Sequence, residues 1–212
     1  MPVLDLLDPR AVADLGTFAS RAKVLDADGG MRLQVVGDVL AAYVCVVPSA
    51  GVTHQGVVLG LRTFAVAAEA PLDVTVPLAA ITDRTRRGGS VLPVPPVWLN
   101  LLWTAVAPPR SGWSLAGEVT KVRIEEVARD GIAVVAEAGS SGTLGSLAVD
   151  DLRRRTWSAF AEPGTSADEP TTGFPAGLAF AAHTLGFGAP ADLFRSGPWW
   201  RLSGPGGHAL AR

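Results

Sequence analysis

Lysine is almost missing from this chain. Of its 18 basic residues only Lys23 and Lys121 are lysine; the rest are arginine. Charge of either sign is thin. Charged residues make up 18% of the sequence, against roughly 25% in typical globular chains. Less charge is therefore on hand to cover a surface, and a buried interface between domains or between subunits would account for that. The net charge is −2, so there is no global positive field to draw in nucleic acid.

Cysteine is reduced to Cys45, which excludes an intramolecular disulfide. Cys45 lies in the apolar run Val39-Leu-Ala-Ala-Tyr-Val-Cys-Val-Val47 and reads as a small core hydrophobe. Unbroken apolar spans are missing too. Three stretches (39–61, 88–109 and 170–191) lack formal charge, but prolines, glycines or polar residues interrupt each, so none is a membrane-crossing candidate. The first residues carry acids where a signal peptide needs positive charge. A cytoplasmic location is the expectation.

Catalytic motifs are likewise absent. There is no G-x-S-x-G elbow, no Gly-Lys-Ser/Thr loop and no paired Cys/His spacing. No catalytic residue, metal or cofactor is called for. The nearest approach to a phosphate cradle is Gly139-Ser-Ser-Gly-Thr-Leu-Gly145, which follows a helical pattern rather than a strand and reads as a connector. His54, His183 and His208 are far apart. His183, in Phe-Ala-Ala-His-Thr-Leu, reads as a core or half-buried histidine; the alternative is an enzyme or small-ligand binder that uses His183 or the Gly139–Gly145 loop.

What is present points to an α+β fold: a β-rich N-terminal part with flanking helices, and a helical C-terminal part closed by a β-hairpin. The expected domains are 1–107 and 114–212, with Pro108-Pro-Arg-Ser-Gly112 as the linker. Asp8 and Pro9 suit an N-cap and first helical position for a helix to Leu25. Strands are expected at 31–36, 39–47, 57–67 and 72–76. Pro77 then opens a short helix to Arg86. Val97–Ala107, bracketed by prolines and apolar all round, reads as a buried helix of about three turns. Helices follow at 118–138 (whole, or split at Gly131), 147–161 and 174–187. The segment 163–173 reads as polar and flexible, and Trp199–Arg212 as a hairpin with a four-residue loop. No internal repeat is legible.

Two features suggest contact with partners. Six tryptophans against one tyrosine are a large apolar payload, and tryptophan is common at interface anchors. Trp98, Leu101, Leu102 and Trp103 are the candidate interface residues, for self-association or a protein partner. Arg84, Arg86 and Arg87, with Arg153, Arg154 and Arg155, are the candidate nucleic-acid contacts, a less favoured reading. Helix C-termini attract cations, and Asp150-Asp151 offset the second cluster at i,i+4 spacing.

The order helix, strands, then Val74-Thr-Val-Pro-Leu-Ala-Ala-Ile81 resembles half of a sliding-clamp repeat, in which a strand ends in Val-Pro and opens a helix. The likeness covers about residues 8–95, and no second copy is legible. The C-terminal half resembles a winged-helix domain, with Trp200-Arg-Leu-Ser-Gly-Pro-Gly-Gly-His208 similar to a wing. Its third helix lacks the Arg, Lys, Asn or Gln that reads base edges, so the resemblance implies a buried or protein-binding helix. Through Phe174–Phe187 and Pro198–His208 the chain also resembles a group of uncharacterised actinobacterial proteins, a likeness that carries no functional residue.

Overall fold

The computed structural model describes residues 2–49, 55–68, 70–140, 146–163 and 173–212. His54 and most of 48–55, 163–173 and Gly139–Gly145 lie outside the described residues. The fold is α+β, and the chain divides into two compact units: 1–46 with 61–105, and 47–60 with 106–212.

The first unit opens with β1 (Val3–Asp5) and α1 (Pro9–Leu25). The Asp8 side chain accepts from the Arg10 amide at 2.8 Å, and Pro9 supplies a first helical position that needs no donor. Val12, Leu15, Phe18, Ala19 and Ala22 make one buried face. β2 (Gly30–Val36) and β3 (Val39–Val47) form a hairpin over Gly37-Asp38, with Gly37 at φ 61°. Met31, Leu33 and Val35 point inward from β2, while Arg32 and Gln34 face out.

The rest of the unit comprises β4 (Val58–Ala65, whose first three residues belong to the second unit), β5 (Ala67–Ala68), β6 (Leu72–Pro77), α2 (Leu78–Thr85) and β7 (Val91–Pro93). Its main sheet runs β6-β2-β3-β4, and a small sheet runs β5-β1-β7. Pro77 sits at the strand-to-helix junction with φ −59°, as its fixed ring favours. α1 comes so close to α2 that a Cβ on Gly16 would stand 2.5 Å from Thr85 Oγ1.

The second unit runs β8 (Ser114–Val119), α3 (Lys121–Ser140), α4 (Ser146–Ser158), β9 (Phe160–Ala161), β10 (Phe174–Pro175), α5 (Ala176–Leu185), β11 (Ala191–Ser196), β12 (Trp199–Gly204) and β13 (Gly207–Ala211). Its main sheet is ordered β8-β11-β12-β13, followed by β4. β9 pairs with β10. α5 is the most buried helix, and a left-handed Gly186 at φ 68° ends it. α3 continues through Gly131, which is buried against the Trp157 ring. Trp157 in turn stacks on Phe180 with ring centroids 4.1 Å apart. Glycine at 131 is thus a packing requirement and not a helix break.

Several expectations need correction. Residues 97–107 are not a buried helix; only the single turn of 3-10 helix Leu102–Ala105 is helical. The segment is instead a strap along the outer face of the first sheet, where the Leu99 amide donates to the Thr75 carbonyl at 2.7 Å. Leu99 and Leu101 pack over Gly30, which leaves room for them by lacking a side chain. Residues 114–119 form a strand, so the helix expected from 118 begins only at Lys121, and 191–196 form a further strand, for which no element was expected. With both strands in place the terminal hairpin belongs to a broad antiparallel sheet and is not a wing; its pairing closes at Gly204 and Gly207, so its loop is two residues, not four. His183 is exposed rather than buried in the core.

Candidate functional site

The second unit encloses a cavity of about 350 Å³. Two of its lining segments are joined just outside the strand ends: the Gly56 amide donates to the Arg212 carbonyl at 2.6 Å, and the Arg212 amide to the Val57 carbonyl at 3.2 Å. Trp157, Phe160, Pro175, Pro198 and Trp200 form its walls. Phe160 meets Trp200 edge to face, 5.8 Å between centroids at 79°, the arrangement that ring quadrupoles favour. The Trp157 side chain is 1% exposed and fixed by its stack on Phe180, whereas Phe160 is 56% exposed at the mouth.

The polar groups at this cavity are few. Ser158, Gln55 and Arg212 are the ones among its lining, and Ser158 Oγ already donates to the Arg154 carbonyl at 2.7 Å. The Arg195 guanidinium stands 5.3 Å from the Trp200 ring, a cation–π contact beside the wall. Aromatic walls with a cationic edge suit the capture of apolar groups; the lining offers no nucleophile with an adjacent base. Among the described residues no group of three or more His, Cys, Asp or Glu could hold a metal ion.

The candidate interface residues are split by the structure. Trp98 is 61% exposed and Leu102 87%, but Trp103 is only 8% exposed and Leu101 half-buried. The strap therefore shows one tryptophan to solvent and hides the other. It is pinned by Arg32, whose Nε and Nη2 each donate to Asp73 at 2.7 Å while Nη1 donates to the Thr104 carbonyl at 3.0 Å. Asp73 holds this guanidinium above its ordinary pKa, against the opposing effect of burial.

The arginine clusters sit on separate units. In the first, Arg86 pairs with Asp83 at 3.5 Å, Arg84 donates to the Ala80 carbonyl at 3.0 Å and Arg87 is exposed. In the second, Arg154 and Arg155 both pair with Asp151, at 3.3 and 3.0 Å, and Arg153 is exposed. The one carboxylate of Asp151 is thus shared by two of the cluster's three arginines. Cys45 is half-buried, and desolvation, helped by the Asp26 charge, pushes its thiol up to about 12. It stays a protonated thiol at neutral pH and is a poor nucleophile.

Sequence reasoning missed the cavity. Its residues come from four separated stretches, 55–58, 157–160, Pro175 and 198–212, and no spacing rule unites them. The available signals were the pair Trp157/Phe160 and the doublet Trp199-Trp200, bulky aromatics beside turn residues.

Comparison with known structures gives the fold its relatives. The chain is similar to Caulobacter crescentus pol III beta, with TM-score 0.52 and 12% identity, covering 100% of this chain and 65% of that one. It is similar to the C. crescentus beta sliding clamp with PEG bound at a region proposed for beta-motif tethering, with TM-score 0.53, 12% identity and coverage of 100% and 64%. A further structure of the DNA polymerase sliding clamp from that organism gives 0.53, 12%, 100% and 65%. The chain therefore spans about two thirds of the length of those clamps, just short of it at 64% and 65%. The likeness that the sequence suggested for residues 8–95 extends through the second unit, in place of a winged helix. No curated protein matches the chain. Residues 1–105 match the model of a domain of unknown function (DUF8010) and residues 108–212 that of another (DUF8185), on a fold similar to a sliding clamp.

Proposed function

We propose that this chain is a non-enzymatic protein-interaction module whose second unit receives an apolar side chain from a short partner segment. The aromatic cavity carries the reading: about 350 Å³ holds one or two side chains, and its walls are the residue types that dominate binding energy at interfaces. Arg195 and Arg212 at its edge favour a segment with an acidic flank. The likeness to a clamp with PEG bound at a region proposed for beta-motif tethering supports the same reading.

The test is selection of random peptides on the intact chain, followed by fluorescence polarisation. The expected result is a family of short peptides with an apolar or aromatic residue beside an acid, binding at least tenfold more weakly to Phe160→Asp, a change at an exposed position. No consensus, or equal binding by the variant, would overturn the proposal.

A second reading is self-association through the strap, favoured by the exposure of Trp98 and Leu102. Light scattering after size exclusion is expected to show a dimer that Trp98→Asp converts to a folded monomer. A wild-type chain that stays monomeric at all concentrations removes this reading.

A further inference from the structure

On the outer face of the second sheet a cation has no anionic partner among the described residues. Arg201, on β12, lies in register with Phe194 of β11 and Leu210 of β13. Its guanidinium carbon is 4.4 Å from the Phe194 ring centroid and 4.6 Å from that of Trp113. Trp113 is itself anchored, its indole N–H donating to the Pro109 carbonyl at 3.0 Å. Aromatic faces attract the charge of a guanidinium but do not supply the lone pairs that its in-plane N–H groups seek. The buried Nε has no hydrogen-bond partner, and no acceptor or ion-pair partner meets the other nitrogens among the described residues.

Two residues along, on the same face, Ser203 Oγ lies 2.9 Å from His208 Nδ1. Burial lowers the His208 pKa, and the charge of Arg201 lowers it further. Burial also lowers that of Arg201. The histidine is therefore neutral near pH 7 and does not compete for an anion. Asp192 and Glu118, both exposed, extend the Ser203–His208 row. Their negative charge disfavours a doubly charged ligand and tolerates a singly charged one. Beside the guanidinium, Phe194, Trp113 and the exposed Leu115 offer apolar surface.

We propose that Arg201, held by Trp113 and Phe194, binds the carboxylate of an apolar monocarboxylate, whose body lies over those rings. A carboxylate matches the planar fork of the guanidinium. The site does not depend on the cavity reading: Trp200 lines the cavity and the adjacent Arg201 projects from the opposite face of the strand. The carboxylate could be carried by a free acid or by a peptide C-terminus, a difference that the test separates.

The experiment follows the Arg201 Nε–H signal and the Ser203 and His208 amides by NMR on the intact chain at constant ionic strength. Probes are benzoate, its neutral analogue benzamide, and a peptide ending in phenylalanine with a free or an amidated C-terminus. Saturable shifts with benzoate, at least tenfold weaker with benzamide and lost in Arg201→Met, are expected. Tighter binding of the free-ended peptide than of benzoate, abolished by amidation, would identify a chain terminus as the source; tighter binding of benzoate would identify a free acid. Shifts that never saturate, or that benzamide reproduces on the wild-type chain, overturn the site even if the variant does not fold.

Discussion

Each unit carries an arginine on the outer face of its sheet, and the two are held in opposite ways. Arg32 has a bidentate carboxylate and a backbone carbonyl, and through the latter it fastens the strap. Arg201 has two aromatic rings and, among the described residues, no acceptor. Charge-assisted bonds contribute directly to stability, whereas a desolvated donor without an acceptor costs stability unless a ligand meets it. The first arginine is a structural tie; the second is a group left ready for a partner. The helix contacts differ as well. In the first unit, α1 and α2 meet through Gly16 and Thr85; in the second, α3, α4 and α5 converge on the ring of Trp157.

That convergence yields the largest expected effect. Trp157→Ala removes a fully buried indole from between Gly131 and Phe180, and a loss of about 3–5 kcal/mol is expected from denaturant unfolding. In the first unit, Gly16→Ala pushes a methyl into Thr85 and is expected to cost about 1–3 kcal/mol. If the two changes cost the same, the idea that one unit hangs on a single ring and the other on close backbone approach is wrong.

Much of the first unit is legible in the sequence because its signals are local. Asp8-Pro9 marks a helix start, Gly37-Asp38 a hairpin, and Pro77 a strand-to-helix junction, each by a backbone preference of one or two residues. The strap misleads because 97–107 is apolar with no period; Leu99 and Leu101 are apolar to cover Gly30, while Trp98 and Leu102 face solvent. The second unit hides more. Ser114–Val119 has a short, Gly-containing pattern with no clear alternation, whose last two residues were expected to open a helix, yet it is held as an edge strand by pairing with β11. A shared plan is hidden too. Each main sheet has three consecutive strands following one helix (α1-β2-β3-β4 and α5-β11-β12-β13) and a separate edge strand leading into a second helix (β6-α2 and β8-α3). In the first unit the edge strand comes last and in the second it comes first, so a search for sequence repetition in order finds nothing. The cavity and the Arg201 site were illegible for the same reason: strand register assembles them.

The arginine contrast can be broken directly. Arg32→Met strips Asp73 of two bonds and Thr104 of one, leaving Gln34, at 2.8 Å, to hold the carboxylate. A loss of about 1–3 kcal/mol is expected. Arg201→Met keeps apolar bulk between the rings and removes an unpaired donor, so stability is expected to change by no more than about 0.5 kcal/mol in either direction. Both are read from urea midpoints, and a large loss at Arg201 would mean that its rings alone make it a structural tie.

The smallest effect sharpens the same comparison through pH. His208 has a folded-state pKa below its unfolded value because of burial and the neighbouring Arg201 charge. Between those two values the unfolded chain binds the extra proton, so stability rises with pH there. The contribution of neutral His208 is fully present above the unfolded pKa of about 6.5. It is lost progressively as pH falls below that value toward the lowered folded one. Thermal unfolding of the wild type should therefore show a falling midpoint on acidification from pH 7, and His208→Asn should flatten that slope. Arg201→Met should flatten it only in part, because desolvation is the larger cause and Arg201 the smaller. If Arg201→Met flattens the slope as fully as His208→Asn does, charge and not burial governs the histidine, and the outer face of the second sheet is more solvated than its geometry shows.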